Sequence, residues 1–243
     1  MIIHNIMMNI HIKGVEKDSM IDYPGKISCV VFLSRCNFRC GFCHNPELIF
    51  NENEFPDITT EEFLSWLNKK KKWLDGVVIT GGEPTLHSGL IDFMKAIKEK
   101  NLSIKLDTNG TNPSIVQKAI NEKLVDYIAM DIKNCPEKYD ETTSACVNID
   151  NIKKTAQIIM DAGSKDLIDY EFRTTIHPRY HNAHDFEKIS QWLKGSKKYV
   201  LQQFRAEHCI IDETLKKEEN YNLSDLQNFR NIMSSVIEDV QIR

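Results

Sequence analysis

The chain has 243 residues, of which 41% are hydrophobic and 27% are charged, and its formal net charge is −4. These values are typical of a globular protein with one sizeable core and exclude a disordered chain. Because the charge provides no broad basic field, we expect no nucleic-acid partner, and no apolar stretch is long enough to span a bilayer. The seven cysteines are an odd number, and no signal peptide is recognisable. We therefore expect a cytoplasmic protein with reduced thiols.

Strand-like and helix-like segments alternate along the chain. Continuous apolar, β-branched runs are typical of parallel strands buried on both faces. Such runs cover residues 27–33, 76–80, 103–107, 125–131, 169–176 and 198–203. Six consecutive βα units predict an α/β protein with a partial (β/α)6 TIM-like barrel. We expect a single domain over 1–243, divided into an N-terminal extension (1–26), a βα core (27–204) and a C-terminal helical segment (205–243).

Helix starts lie between the predicted strands. Thr59 and Glu62 have the spacing of a capping box, and Pro113 suits the first turn of a helix. A last helix is predicted to open at Ser224, and its apolar face would extend to Val240.

Three cysteines lie close together after the first predicted strand. Cys36, Cys40 and Cys43 form a C-x3-C-x2-C run. Three thiolates can hold three irons of a [4Fe–4S] cluster and leave the fourth iron open, whereas clusters that only carry electrons usually have four cysteines. A structural zinc site that adds His44 as a fourth ligand is the alternative. The remaining cysteines are expected to be structural or incidental thiols: Cys29, Cys135, Cys146 and Cys209.

Polar elements follow the other predicted strands. In a βα barrel, functional groups lie at the carboxyl ends of the strands. The second strand is followed by Gly-Gly-Glu-Pro (81–84), the third by Asp-Thr-Asn-Gly (107–110) and the fourth by Met-Asp-Ile-Lys (130–133). The fifth carries Arg173, and the sixth ends in Gln-Gln-Phe (202–204). Each motif alone could be a structural turn, but together on one rim they predict a site.

The cysteine run, with Phe42 directly before its last cysteine, resembles the signature of the radical S-adenosylmethionine (SAM) enzymes. Together with Asp-Tyr-Pro-Gly (22–25) and Cys-His-Asn-Pro (43–46), it makes the chain similar to the activating proteins of glycyl-radical enzymes. The similarity is greatest to anaerobic ribonucleoside-triphosphate reductase activating proteins and covers almost the whole chain. It implies a [4Fe–4S] cluster that reductively cleaves SAM, and a radical that removes hydrogen from a glycine of a partner enzyme.

The resemblance also implies roles for individual residues. Cys36, Cys40 and Cys43 would hold the catalytic cluster. The SAM contacts that it implies are Phe42, Cys43, His44, Gly81, Gly82, Glu83, Asp107, Thr108, Asn109, Asp131, Lys133, Arg173 and Gln203.

Some of these contacts have a specific implied role. The backbone of Gly-Gly-Glu-Pro would bind the cofactor's amino group, so a side chain at Gly82 is expected to block it and to leave the cluster intact. Asp107, Thr108 and Asp131 match positions that surround a monovalent cation in related enzymes. Arg173 would pair with the cofactor carboxylate.

Two other functions remain open from the sequence. A radical SAM enzyme that acts on a small molecule, such as a 7-carboxy-7-deazaguanine synthase, has the same cysteine run and Gly-Gly-Glu-Pro motif. An open barrel without a lid favours a macromolecular substrate instead. The other possibility is a non-catalytic zinc-binding protein. If the chain is an activating protein, its electrons are expected from a ferredoxin or flavodoxin, because the sequence has no ferredoxin-like insertion.

Overall fold

The computed structural model describes residues 9–51, 54–205 and 209–243. The strands are β1 (Ile12–Ser19), β2 (Ser28–Leu33), β3 (Gly76–Gly81), β4 (Ser103–Thr108), β5 (Tyr127–Asp131), β6 (Asp169–Ile176), β7 (Lys198–Gln203) and β8 (Asp239–Ile242). The helices are α1 (Glu47–Phe50), α2 (Thr60–Lys70), α3 (Leu90–Lys98), α4 (Pro113–Asn121), α5 (Tyr139–Thr143), α6 (Ile149–Ser164), α7 (Ala183–Trp192) and α8 (Leu223–Ser234). In these described ranges, no helix is long and apolar enough to cross a membrane.

The eight strands form one sheet in which their spatial order equals their order in the chain. Strand β1 runs antiparallel to β2, and every other neighbouring pair is parallel. Strands β1 and β8 are the two edges of the sheet. Since these edges do not pair with each other in the described residues, the sheet is a partial barrel that does not close. The predicted α/β partial barrel is confirmed, and its six predicted strands correspond to β2–β7.

The prediction differs from the structure at both ends of the chain. The N-terminal extension contains strand β1, and the C-terminal segment contains strand β8 as well as a helix. The predicted last helix was too long, because α8 ends at Ser234 and Val240 lies in β8. Its start was also wrong, since Asn222 is the N-cap and Asp225 completes the capping box.

The other two helix starts are confirmed. The Thr59 side chain accepts a hydrogen bond from the backbone N–H of Glu62, and the Glu62 carboxylate accepts one from the backbone N–H of Thr59. Pro113 occupies the first turn of α4, where its missing N–H has no helical partner to lose.

Two apolar layers hold the sheet in place. The larger one lies between the sheet and the helices and includes Phe63, Phe93 and Phe186. A smaller cluster fills the inside of the barrel and contains Tyr23, Val30, Val78, Tyr127 and Ala129, with Phe32 against it. Side chains alternate between the two faces of each strand, so every second side chain points into the barrel. Towards the carboxyl ends of the strands, these inward side chains are polar and lie above the inner cluster.

Candidate active site

A pocket lies at the carboxyl ends of β2–β6, where the cysteine run follows β2. Its lining residues are Cys36, Phe38, Cys40, Phe42, Cys43, His44, Asn45, Ile49, Thr80, Gly81, Gly82, Asp107, Thr108, Asn109, Asp131, Lys133, Arg173 and Thr175. Segments far apart in the chain meet here because parallel strands bring their carboxyl ends to one rim.

The three cysteines of the run face this pocket as buried or half-buried thiols. Burial raises the pKa of Cys36 to about 11 and the pKa of Cys40 to about 12. Repulsion between the thiolates adds to this effect, since the charges of Cys36 and Cys43 both raise the pKa of Cys40. The thiols are therefore close enough to oppose one another's ionisation.

This donor set fits an iron–sulfur cluster. A bound metal favours the thiolate form, because its positive charge reverses the effects of burial and repulsion. The ammonium of Lys133 acts in the same direction and lowers the pKa of all three thiols. In the described ranges, no three His, Cys, Asp or Glu side chains converge on a point where a single metal ion could sit.

Two N–H groups point towards the sulfur of Cys36. The backbone N–H of Phe38 lies 3.4 Å from the Cys36 Sγ, measured from nitrogen, and the amide Nδ2 of Asn109 lies 4.0 Å from it. The Asn109 amide is held in place because it also donates to the Asn37 Oδ1 at 2.8 Å. Hydrogen bonds to ligand sulfurs are one of the means by which a protein sets the reduction potential of a cluster. Asn109 therefore lies where it can act on the cluster ligand.

The other four cysteines lie outside the pocket lining. Cys29 and Cys135 are buried, whereas Cys146 and Cys209 are exposed. This agrees with the expectation that they are structural or incidental thiols.

The Gly-Gly pair after β3 packs against the loop that carries the cysteines. The Gly82 N–H donates to the Leu33 carbonyl at 2.8 Å, and a Cβ on Gly82 would lie 2.0 Å from the Arg35 carbonyl oxygen. Gly81 has φ +112°, a region that favours glycine. A side chain at Gly82 would therefore have to displace Arg35, the residue directly before Cys36. That it would block SAM and leave the cluster intact stays a prediction.

Glu83 was expected to contact SAM, and the structure places it elsewhere. Its side chain is absent from the pocket lining, and the residue is 0% exposed. One carboxylate oxygen accepts from the N–H of Thr85 at 3.0 Å and from the hydroxyl of Thr108 at 2.8 Å, and the other accepts from the N–H of Asn109 at 2.6 Å. Burial raises the pKa of Glu83, and these donors oppose that rise. Glu83 therefore joins the end of β3 to the end of β4.

We expect Glu83→Gln to lower the free energy of unfolding by about 2–3 kcal/mol, since each carboxylate oxygen accepts a backbone N–H and the new amide must face one of them. Urea unfolding of the metal-free protein measures the change. Glu62→Gln is the matched control, because only Oε2 of Glu62 accepts and glutamine can turn its oxygen to that side. Equal losses in the two variants would contradict the role given to Glu83.

Charged side chains line the wall of the pocket opposite the cysteines. Arg173 donates from Nε to Asp131 Oδ1 at 2.9 Å and from Nη1 to Asp107 Oδ2 at 3.3 Å. Burial by itself would raise the pKa of Asp131, but Arg173 and Lys133 outweigh it and hold that pKa at about 2. Burial also acts to raise the pKa of Asp107, but Arg173 and Lys105 outweigh it and lower that pKa. Both carboxylates are consequently charged at neutral pH.

Arg173 keeps one edge available for a ligand. No hydrogen bond engages its Nη2 within the part of the chain that the structure describes. A guanidinium with one edge held by carboxylates and the other directed to a pocket suits a ligand carboxylate.

Gln203 is the second expected contact that the structure places outside the pocket lining. Its Nε2 donates to the Tyr221 carbonyl at 2.7 Å, so it ties β7 to the segment before α8. The remaining expected residues do line the pocket, and their binding roles stay predictions.

Sequence reasoning missed five residues of the pocket lining: Phe38, Asn45, Ile49, Thr80 and Thr175. Thr80 could have been found, because it directly precedes the Gly-Gly pair, and its hydroxyl donates to Asp107 Oδ2 at 3.2 Å.

Three comparisons relate this site to known proteins. Residues 30–193 match the model of the Radical SAM superfamily. The chain is 34% identical to a Methanocaldococcus jannaschii protein described as a glycyl-radical enzyme activating enzyme, over 96% of this chain and 95% of that protein. It is 34% identical to the pyruvate formate-lyase-activating enzyme of Clostridium pasteurianum, over 53% and 54% of the two chains. The structure of Streptococcus suis SuiB bound to S-adenosylmethionine has a TM-score of 0.63 at 15% identity, covering 86% of this chain and 51% of SuiB, which shows the fold alone.

Proposed function

Since the chain belongs to the radical SAM superfamily, in the group of glycyl-radical enzyme activating enzymes, we propose that it generates a glycyl radical on anaerobic ribonucleoside-triphosphate reductase. The similarity to an activating enzyme over 96% of the chain carries this proposal, because it extends beyond the matched family region on both sides. The choice of reductase as the partner rests on the sequence motifs alone.

The cofactors of the family are a [4Fe–4S] cluster and SAM, and when bound they would supply the one-electron and radical chemistry that removes a hydrogen atom from the glycine. The chain's own residues bind and orient these groups. Cys36, Cys40 and Cys43 hold the cluster, and the backbone at Gly81 and Gly82 offers polar groups to the cofactor's amino group. Arg173 binds the cofactor's carboxylate through its unused edge.

The open sheet supports a macromolecular substrate. The pocket lies on the rim of a barrel whose edge strands, β1 and β8, do not pair with each other in the described ranges. A carbon radical must be kept from water, and a glycine loop of the partner that enters this open side would do so. We also propose that a ferredoxin or flavodoxin supplies the electron and that the reaction takes place in the reducing cytoplasm.

The test uses reduced, anaerobically reconstituted protein with SAM and candidate partners. We expect 5′-deoxyadenosine to form faster when a partner with a C-terminal glycyl-radical motif is present, because substrate in the open side commits the radical to hydrogen transfer. Chromatography of the quenched reaction measures the product.

The matched control is the same partner with its radical glycine changed to alanine. The proposal fails if no partner accelerates the reaction. Turnover of a purine-like small molecule without any protein partner would favour the deazaguanine-forming alternative instead.

A further inference from the structure

Lys105 is a charged residue inside strand β4, between the apolar Ile104 and Leu106. In the sheet it lies in register between Val78 of β3 and Tyr127 of β5, two residues that belong to the inner cluster. Its side chain is only 3% exposed, and its ammonium donates to Oδ1 of Asp107. The ammonium is thus inside the barrel, directly below the charged wall of the pocket.

Every carboxylate oxygen of this wall already has a donor from the chain. Asp107 Oδ1 accepts from Lys105, and Oδ2 accepts from Thr80 and from Arg173. Asp131 Oδ1 accepts from Arg173, and Oδ2 accepts from Lys133 at 3.0 Å. A bound monovalent cation would have to compete with these donors for the same oxygens.

The hydroxyl of Thr108 is engaged as well. It donates to Glu83 at 2.8 Å and accepts from the Gly110 N–H at 3.1 Å. The three residues that the resemblance places around a monovalent cation therefore do not fit that ion in this chain.

The charges of the pocket wall also disfavour a bound monovalent cation. Two carboxylates, Asp107 and Asp131, face three cations, namely Lys105, Lys133 and Arg173. One positive charge of these side chains remains, and it would attract the carboxylate of a bound SAM. A further cation would leave an excess positive charge in a buried site, which is unfavourable where the dielectric constant is low.

We propose that the ammonium of Lys105 takes the place of a free monovalent cation, so that this chain supplies the whole charge balance of its cofactor site. Lys105 is a positioning residue: it neutralises Asp107, and Asp107 with Asp131 holds the guanidinium of Arg173 in the orientation that receives the cofactor carboxylate. The proposal concerns the cofactor site alone and does not depend on which glycine the enzyme attacks.

The test measures SAM binding to the cluster-loaded protein by equilibrium dialysis in potassium, sodium or choline chloride at one ionic strength. For the wild type, we expect dissociation constants that agree within about twofold across the three salts. Lys105→Met retains the apolar stem and removes the ammonium. In choline we expect it to bind SAM at least about tenfold more weakly than the wild type, and we expect potassium to restore most of the loss.

Lys13→Met is the matched control. Lys13 is also an almost buried lysine paired with an aspartate, since its Nζ lies 2.8 Å from Asp57 Oδ1 and its side chain is 6% exposed, but it is absent from the pocket lining. We expect this variant to bind SAM like the wild type in every salt.

Two results would overturn the proposal. One is a wild type that needs potassium or sodium to bind SAM, and the other is a Lys105→Met variant that binds as the wild type does in choline. Dialysis of the wild type against radioactive thallium(I), which mimics potassium, gives an answer even if the variant fails to fold. We expect no stoichiometric uptake of the ion with SAM bound, and uptake of one ion per chain would contradict the proposal.

Discussion

Cys40→Ala is expected to abolish the broad iron–sulfur absorbance of anaerobically reconstituted protein. Three thiolates hold the cluster, so the loss of one leaves only two ligands and no redundancy. Cys40 is also the most deeply buried of the three, and burial raises the pKa of its thiol to about 12, an effect that a bound metal would oppose. Iron and sulfide analysis together with visible absorbance measures the effect, and Cys36→Ala and Cys43→Ala should behave in the same way.

Cys146→Ala is the control, because Cys146 is an exposed thiol outside the pocket lining. It should retain about four irons per chain. The cluster assignment would be wrong if Cys40→Ala also retained about four irons.

The second large effect is expected for Arg173→Ala, which should lower the affinity for SAM and the rate of its cleavage by about a hundredfold or more. Arg173 is half-buried and bridges Asp107 to Asp131, so its removal takes away the guanidinium edge and the positive charge that would receive the cofactor's carboxylate. The cluster should remain, because no hydrogen bond in the described ranges joins Arg173 to a cysteine. Calorimetry of SAM binding and iron analysis on the same preparation separate the two effects.

Arg173→Lys should recover part of the affinity for SAM. Lysine restores the positive charge, but it lacks the planar guanidinium that can contact the two aspartates and the cofactor carboxylate together. Asp131→Ala should also lower cleavage without loss of iron, because Asp131 orients Arg173. Arg230→Ala is the control, since Arg230 donates to the Val240 carbonyl on the other side of the sheet and is absent from the pocket lining. A full cofactor affinity in Arg173→Ala would exclude the role that we give to this residue.

The sequence located the parallel strands β2–β7 to within two residues at each end. Strands β6 and β7 have the predicted boundaries, although Asp169 and Lys198 open them and both contain further polar residues. Strand β8 has only four residues, and Val240 continues the helical spacing of α8. Spacing alone could not separate the end of that helix from a short edge strand, which is defined by its pairing with β7.

The site was predictable as a set of strand ends but not as a network of contacts. The parallel topology brings the cysteine run, Asp107 and Asp131 to one rim, and this follows from the βα alternation alone. The partner of a buried polar side chain does not follow from it. Glu83 accepts a hydrogen bond from Asn109 after β4, and Gln203 donates one to Tyr221, although both residues lie at strand ends where pocket residues are expected.

Lys105 is a second residue whose role could not be predicted from the sequence. It lies within a strand instead of at its end, so the rule that places functional groups at strand ends passed over it. Only the fold shows that its ammonium reaches Asp107 inside the barrel.

The most direct test of the central claim is electron paramagnetic resonance of the partner after reaction with this protein. Reduced, cluster-loaded protein, SAM and anaerobic ribonucleoside-triphosphate reductase should give the doublet signal of a carbon radical on the reductase. The signal should collapse to a single line when the α-hydrogen of glycine is replaced by deuterium, and it should be absent with Cys40→Ala. A reductase that acquires no radical signal, while 5′-deoxyadenosine accumulates in the same tube, would contradict the account.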